Sequence, residues 1–277
     1  MPDRPPLSDR VDVAILGGGP AGCSAASWLA QLGLSVALIE RAPQLCKGLQ
    51  ALTFRQDWVL GAPGLSLAEL GARYAAQTEA LAGLQLLKGR SAAHLDWLAG
   101  EGWRLRLDDG RDLAARALLL ATGLRPLRPT PFFPDEAGHE RVLDALGLTA
   151  RREQLPPGQR ILLLGGGDNA AENALFLQAR GHRVSLWSRS DWRAQQGLVE
   201  RLEALGDAIE QRPRDPLPTQ LRPDADGVTV ASPRHGEERY DRVAVLLGYE
   251  AEPSAWLLVA DALQRAGITA PSHPFRD

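Results

Sequence analysis

Two stretches of the chain carry residues whose types and spacing suit the holding of phosphate. In "VAILGGGPAGCSAASWLAQLGLSVALIER" the glycines Gly17, Gly19 and Gly22 follow a short apolar run; in "ILLLGGGDNAAENALFLQARGHRVSLWSR" the same places belong to Gly165, Gly167 and Ala170. The first glycine permits a tight turn, and the second lets the backbone approach a pyrophosphate. The small third residue lets a helix pack close to the strand. The helix that follows opens with Pro20 and Ala21 in one copy and Asp168 and Asn169 in the other. Its first turn offers unpaired N–H groups and partial positive charge to phosphates. The alternative is a pair of ligand-free glycine turns in an α/β sheet.

The two copies end differently. The first closes on Glu40 and Arg41, with Glu40 lying 18 residues beyond Gly22, close to the roughly 20 expected of an acid that binds a ribose. A carboxylate there accepts hydrogen bonds from adenosine ribose hydroxyls and repels a 2′-phosphate. The second copy closes on Ser188 and Arg189, with Arg193 four residues on. A hydroxyl and two planar guanidinium forks suit a phosphate dianion. Site one therefore favours an unphosphorylated adenosine ribose, as in FAD or NAD, and site two favours NADP. The competing reading of Arg189 and Arg193 is a solvated loop.

These residues need a scaffold, and the repeat supplies one. The two stretches superpose without a gap, pairing Ala26 with Ala174, Leu29 with Leu177, Gly33 with Gly181, Val36 with Val184 and Leu38 with Leu186. Each copy reads as strand, glycine turn, helix, Gly-containing turn and second strand, a βαβ unit with parallel strands. At 277 residues the chain fits two such domains. The composition is 44% hydrophobic and 23% charged with net charge −3, which disfavours a nucleic-acid or anionic-membrane surface. No apolar run approaches the roughly 20 residues that span a bilayer. "MPDRPPLSDR" has no signal-peptide core, and two cysteines cannot form a disulfide framework, so a cytoplasmic location is expected. The five histidines are scattered, leaving no zinc spacing; no Gly-x-Ser-x-Gly elbow or Gly-Lys-Ser/Thr loop is present.

The chain resembles the low-molecular-weight flavoprotein reductases related to thioredoxin reductase, closest in type to the thioredoxin-reductase-like ferredoxin–NADP reductases. "AILGGGPAGCSAA" looks like the family's FAD motif, "QDWVLGAPG" its "ENWPG" segment, and "ALLLATG" the strand ending the first FAD half. "LLLGGGDNAAENA" resembles the NADPH motif, with Asp168 and Glu172 at its acidic positions. "SRSDWRA" is similar to a shortened "HRRDxFRA", and "VAVLLGYEAEP" to the strand that leads back. The resemblance implies an α/β fold of two Rossmann-like three-layer nucleotide-binding domains, with the NAD(P)H domain inserted in a split FAD domain. The expected parts are residues 1–124 (FAD, first part), 125–248 (NAD(P)H) and 249–277 (FAD, second part, incomplete). It also implies that Asp57, Thr122 and Gly123 contact the flavin nucleotide. The implied cofactors are FAD and NADPH, with NADH the lesser candidate. The implied activity is hydride transfer from NADPH to FAD and onward to a ferredoxin, flavodoxin, quinone or other small acceptor. Reacting atoms must come within about 3–3.5 Å, so closure of the inserted domain belongs to the expected turnover. A homodimer is an open option.

Two departures bear on this expectation. The segment before the second glycine motif, "ERVLDALGLTARREQLPPGQR", lacks the Cys-x-x-Cys of thioredoxin reductases, and only Cys46 follows the ribose acid. Dithiol transfer needs two thiols within bonding distance, so the acceptor is expected to be something other than a protein dithiol. Cys23 reads as a small packing residue of the first helix. The family's late "AAGD" segment has no counterpart; apart from Gly167–Asp168 of the second glycine motif, Gly206–Asp207 is the only Gly-Asp pair, and it too falls inside the inserted part. The chain is then either a shorter form or one that closes its flavin site another way, with Trp256, Leu257, Leu258 and Val259 under-covered. A non-catalytic nucleotide-binding redox sensor, or a truncated relative, is the alternative to the reductase.

Overall fold

A computed structural model describes residues 9–53, 55, 59–133 and 139–270. The chain divides into two compact units: Met1–Leu124 with Ala251–Asp277, and Arg125–Glu250. In the first unit β1 (Arg10–Leu16), α1 (Pro20–Gln31) and β2 (Val36–Glu40) form the first copy of the repeat. α2 (Lys47–Gln50), α3 (Leu67–Glu79), β3 (Gln85–Lys88), β4 (Ala92–Leu98), β5 (Gly102–Leu107) and β6 (Asp112–Leu120) follow. The strand order is β3-β2-β1-β6-β5-β4. β3, β2, β1 and β6 run parallel, while β4, β5 and β6 form an antiparallel meander. The turn between β5 and β6 is the "DDG" at Asp108–Gly110, which suits Asp and Gly.

The second unit opens with β7 (Leu124–Pro126), β8 (Val142–Asp144) and α4 (Ala145–Arg151). β9 (Arg160–Leu164), α5 (Asp168–Ala179) and β10 (Arg183–Trp187) are the second copy of the repeat. After α6 (Gln196–Ala204), a 3₁₀ turn at Gly206–Ala208 leads to β11 (Ile209–Arg212), β12 (Gln220–Pro223), β13 (Val228–Ser232), β14 (Gly236–Tyr240), β15 (Arg242–Val245) and β16 (Tyr249–Ala251). Gly206–Asp207 therefore sits in a short turn before an edge strand. A parallel sheet runs β11-β10-β9-β15-β8, and β12-β13-β14 form a separate antiparallel sheet. β7 and β16, where the chain leaves and re-enters the first unit, pair with each other. Equivalent residues of the two repeats face each other across equivalent ladders: Val13 with Val36, and Ile161 with Val184.

α7 (Ser254–Arg265) then returns to the first unit. Alternation along the strands divides their side chains between two layers. In the first unit Ile15, Val36 and Leu38 pack beneath α1 and α3 with Cys23, Ala26 and Tyr74. Ala14, Leu16, Ala37 and Ile39 face the other way, onto Leu95, Leu105 and the α7 residues Ala255, Val259 and Ala262. In the second unit Ile161, Leu163, Val184 and Leu186 meet α5 through Ala170, Ala174 and Leu177. Leu162, Leu164 and Val245 meet the antiparallel sheet through Val228, Val230 and Tyr240. The expected under-coverage of α7 is corrected. Val259 is buried, Trp256 and Leu258 pack partly against the core, and only Leu257, on the opposite face, stands 62% exposed. The 3.6-residue period turns positions 255, 259 and 262 inward together.

In the second unit a charged network ties the two sheets. Arg212 on β11 forks onto Glu238 of β14 (2.6 and 2.9 Å) and also bonds Glu210; Arg160 of β9 reaches the same Glu238 at 3.2 Å. The Arg212 guanidinium holds Glu238 below its ordinary range, and bonds from Ser185 and Arg212 outweigh burial to lower Glu210. Carboxylates lowered on folding contribute stability above their unfolded value, 4.5 for Glu, and lose it as pH falls through the folded value. Glu238→Gln should therefore cost about 1–3 kcal/mol at pH 7 and flatten the loss of stability below pH 4.5. Urea midpoints measured across that range check this; an unchanged midpoint at pH 7 refutes it.

Glycine contacts offer a second test. A Cβ on Gly22 would lie 1.9 Å from the Gly17 carbonyl oxygen, whereas one on Gly48 would meet nothing within 4 Å. Gly22→Ala should destabilise by about 1–3 kcal/mol or more, and Gly48→Ala should be neutral or slightly stabilising because Ala is the better helix former. Thermal midpoints of the two variants decide it.

Candidate functional site

The first crevice is built at the C-terminal ends of β1 and β2. Gly17 has φ 109° and packs so closely on the end of β6 that a Cβ would meet the Ala121 carbonyl oxygen at 2.3 Å. Gly18 is equally confined, against Leu45 and Glu40, while Gly19, the N-cap of α1, faces open space. Bare N–H groups at that helix start can therefore meet a ligand phosphate at close range. Glu40 accepts from Gly18 N at 2.5 Å and from Ala42 N at 2.6 Å, so it braces the glycine turn and still has lone pairs left for a ribose. A cavity of about 330 Å³ opens beside these residues, lined by Gly17, Glu40, Arg41, Arg90, Thr122 and Glu252 among others. Arg41 pairs with Glu252 at 3.9 Å, and Thr122 Oγ1 donates to the Glu252 carbonyl at 3.5 Å. Ser254, Ala255 and Leu258 from the start of α7 complete the wall.

The second crevice repeats the geometry. A Cβ on Gly165 would meet the Leu246 carbonyl oxygen at 2.3 Å, one on Gly166 would meet Ser188 Oγ at 2.4 Å, and Gly167, the α5 N-cap, faces open space. The loop after β10 is fastened over the turn. Arg193 N donates to Gly166 O at 2.6 Å, and Asp168 accepts from Gln195 N and Nε2 at 2.7 and 2.8 Å. A cavity of about 310 Å³ is lined by Gly165, Gly167, Asp168, Asn169, Ser188, Arg189, Arg193 and Tyr249. Arg189 and Arg193 are exposed and have no carboxylate partner among the described residues. Ser188 is buried, and its hydroxyl oxygen accepts from Ser190 N at 3.3 Å, which shapes the turn that presents the arginines.

A polar chain enters this crevice from the interior. Arg152 donates to Asn173 Oδ1 (3.1 Å), Asn173 Nδ2 donates to Asn169 Oδ1 (2.6 Å), and Asn169 Nδ2 donates to the Tyr249 hydroxyl oxygen (2.8 Å). Every donor points the same way, so the Tyr249 hydroxyl, which lines the cavity, accepts from Asn169 and keeps its own proton for another acceptor. Burial raises the Tyr249 hydroxyl, which keeps that proton in place at neutral pH.

Among the expected residues, the fold gathers Gly17, Glu40, Arg41 and Thr122 at one crevice and Gly165, Gly167, Asp168, Asn169, Ser188, Arg189 and Arg193 at the other. Gly22 is spent on packing; Pro20 and Ala21 are exposed in the first turn of α1; Gly123 accepts from Glu252 N at 3.1 Å beside the first cavity. Glu172 does not line the second cavity. It lies a turn deeper in α5, where burial and the nearby Asp168 raise its carboxyl. Asp57 lies outside the described residues. Gly18, Arg90, Ser91, Ser254 and Tyr249 were not legible as site residues: Arg90 and Ser254 arrive from distant elements, and only the glycine triplet hinted at Gly18. The two cysteines, isolated in sequence, come together in the fold. Cys23 and Cys46 are both buried, with their sulfurs 3.7 Å apart.

Comparisons agree with this architecture. A family model for pyridine nucleotide-disulphide oxidoreductase matches residues 11–263. A protein named ferredoxin–NADP reductase from Saccharopolyspora erythraea is 30% identical over 211 residues, which cover 73% of this chain and 61% of the relative. One of the same name from Limosilactobacillus fermentum is 30% identical over 269 residues, covering 90% and 76%. The chain thus spans about three-fifths of the length of the first of these relatives. The crystal structure of Lactococcus lactis thioredoxin reductase superposes with a TM-score of 0.76 at 22% identity, over 95% of this chain and 83% of that one, a likeness of fold. Two βαβ repeats with glycine-turn crevices, and a family match across both units, lead to one assignment: the chain belongs to the pyridine nucleotide-disulphide oxidoreductase family.

Proposed function

We propose that the protein is an NAD(P)H-dependent flavoprotein oxidoreductase of the cytoplasm, with FAD in the first unit and NADPH in the second. Electrons would leave to a ferredoxin-type carrier, with a flavodoxin or quinone as the other candidate acceptors. One observation carries this reading: equivalent strand ends in two copies of one motif present a carboxylate, Glu40, at one crevice and the guanidiniums of Arg189 and Arg193 at the other. FAD, when bound, supplies acceptance of a hydride and release of electrons to the acceptor. The chain's own residues do the rest. The α1 N-terminus and Glu40 take the pyrophosphate and ribose of one nucleotide. The α5 N-terminus takes the other pyrophosphate, and Arg189 and Arg193 take the 2′-phosphate. Tyr249 is placed to donate a hydrogen bond to that same ligand. The names of the curated relatives support the carrier, and the lack of cysteine just ahead of Gly165 supports transfer without a dithiol there.

A second reading is a nucleotide-binding redox sensor without turnover, in which the first crevice, lined by Ser254, Ala255 and Leu258 from the start of α7, holds no flavin. The purified protein separates the two. The reductase predicts a yellow protein whose flavin absorbance bleaches anaerobically with NADPH; a colourless protein that still binds NADPH supports the sensor. For the arginines, Arg189→Ala and Arg193→Ala should each weaken NADPH binding by about tenfold to a hundredfold, since a charge-assisted hydrogen bond contributes about 1.5–3 kcal/mol. NADH binding should hardly change. Equal losses for both nucleotides in calorimetric titration would mean that the guanidiniums do not read the phosphate.

A further inference from the structure

The chain contains just two cysteines, 23 residues apart, and folding brings their sulfurs to 3.7 Å. Cys23 lies in the first turn of α1 and Cys46 immediately before α2, so the pair joins two separate elements. Cys46 is one of two non-glycine residues with left-handed backbone among those described, at φ 52°. An L residue there costs about 1–2 kcal/mol, so the loop is held in place against a local preference. What holds it is the Gly18 carbonyl, which accepts from Cys46 N at 2.8 Å and from the Cys23 thiol at 3.4 Å. Two packing residues would not need their sulfurs aimed at each other from a strained turn.

Cys23 is also within reach of solvent chemistry. Although only 4% exposed, it forms part of the floor of a cleft of about 460 Å³ between α1 and α3. Ser24, Ser27 and Gln77 give that cleft polar walls; Trp28 and Tyr74 give it apolar ones. Cys46 does not line it. The pair is therefore asymmetric, with one thiol at the cleft and one behind it.

We propose that Cys23 and Cys46 are a peroxide-reactive dithiol that closes to a reversible intrachain disulfide, with small hydroperoxides as the oxidant class. The Cys23 thiolate attacks the peroxide oxygen, forming an S–O bond as the O–O bond breaks and the alkoxide or hydroxide leaves, taking up a proton. The Cys46 sulfur then attacks the Cys23 sulfur; the S–S bond forms, the S–O bond breaks and water departs. In sum, two thiols lose two electrons and two protons, and one hydroperoxide becomes an alcohol or water, plus water. Several features favour Cys23 as the attacking group. The S–H of Cys46 stabilises its thiolate, the Thr78 hydroxyl adds a bond, and together they lower it to about 7 against burial. The positive end of α1 acts in the same sense. Glu40 from β2 and Glu79 from α3 are the charged groups that oppose it. Cys46, donating to Cys23 and buried, is raised, as suits a resolving thiol held protonated. Closure brings the sulfurs from 3.7 Å to about 2.05 Å.

This inference uses the ligand-free chain and does not depend on the nucleotide assignment. The test treats the reduced, folded protein with hydrogen peroxide and counts thiols while following intact mass. The expected result is joint loss of both thiols, a mass lower by two hydrogens, a tryptic species joining the Cys23 and Cys46 peptides, and full recovery with dithiothreitol. In Cys46→Ser the reaction should stop at a Cys23 sulfenic acid trapped by dimedone, and in Cys23→Ser the rate of thiol loss should fall at least tenfold. Thiols lost one at a time with added oxygen, interchain linkage instead of intrachain, or thiols inert until the protein is unfolded would each overturn the proposal. The wild-type peptide map alone decides the matter if either variant fails to fold.

Discussion

The close approach of a strand end to a helix start is the constraint on which the rest of the molecule depends. In the first unit a Gly22 Cβ would sit 1.9 Å from the Gly17 oxygen, and a Gly17 Cβ 2.3 Å from the Ala121 oxygen. Hydrogen on Cα is the only substituent that allows both contacts. In the second unit Gly165 makes the same approach to Leu246, while Ala170, 1% exposed, takes the third place, where a methyl is tolerated. Once these contacts form, the following glycine, Gly19 or Gly167, is left facing open space at a helix N-terminus. The packing requirement and the open approach to the helix N-terminus are thus two consequences of one backbone geometry.

The carboxylates around these turns are engaged by the protein itself. Glu40 spends one oxygen on Gly18 N and the other on Ala42 N, so it stabilises the loop that it faces. Asp168 is engaged by Gln195, which ties the arginine loop to α5. Arg189 and Arg193, by contrast, stand exposed. A carboxylate already satisfied by N–H donors is fixed in place, whereas an exposed guanidinium keeps its donors for an incoming anion.

Helix α7 shows how a segment of modest length serves both core and crevice. Its inward residues Ala255, Val259 and Ala262 cover the sheet face left open by α1 and α3, and its first turn lines the first cavity. A change in how this helix packs would therefore alter both stability and the shape of the cavity. The Cys23–Cys46 pair occupies the opposite face of the same sheet, beneath α1. Both layers thus press on the ends of β1 and β2, where the glycine turn begins.

How far the sequence could be read depended on whether the signal was local. The βαβ repeats were legible because strand alternation, glycine spacing and helical period all act within about thirty residues, and the ladder pairing of Val13 with Val36 recurs as Ile161 with Val184. The sign difference between Glu40 and Arg189 was legible for the same reason. Folding alone decided what lies far apart in the chain. It set Arg90 and Ser254 beside Glu40, turned Tyr249 toward Asn169, kept Glu172 off the cavity wall, and placed Cys23 against Cys46. Spacing along a chain specifies which face of an element a residue occupies. Which other element that face meets is a matter of sheet order and packing, and those are settled by the burial of the whole core.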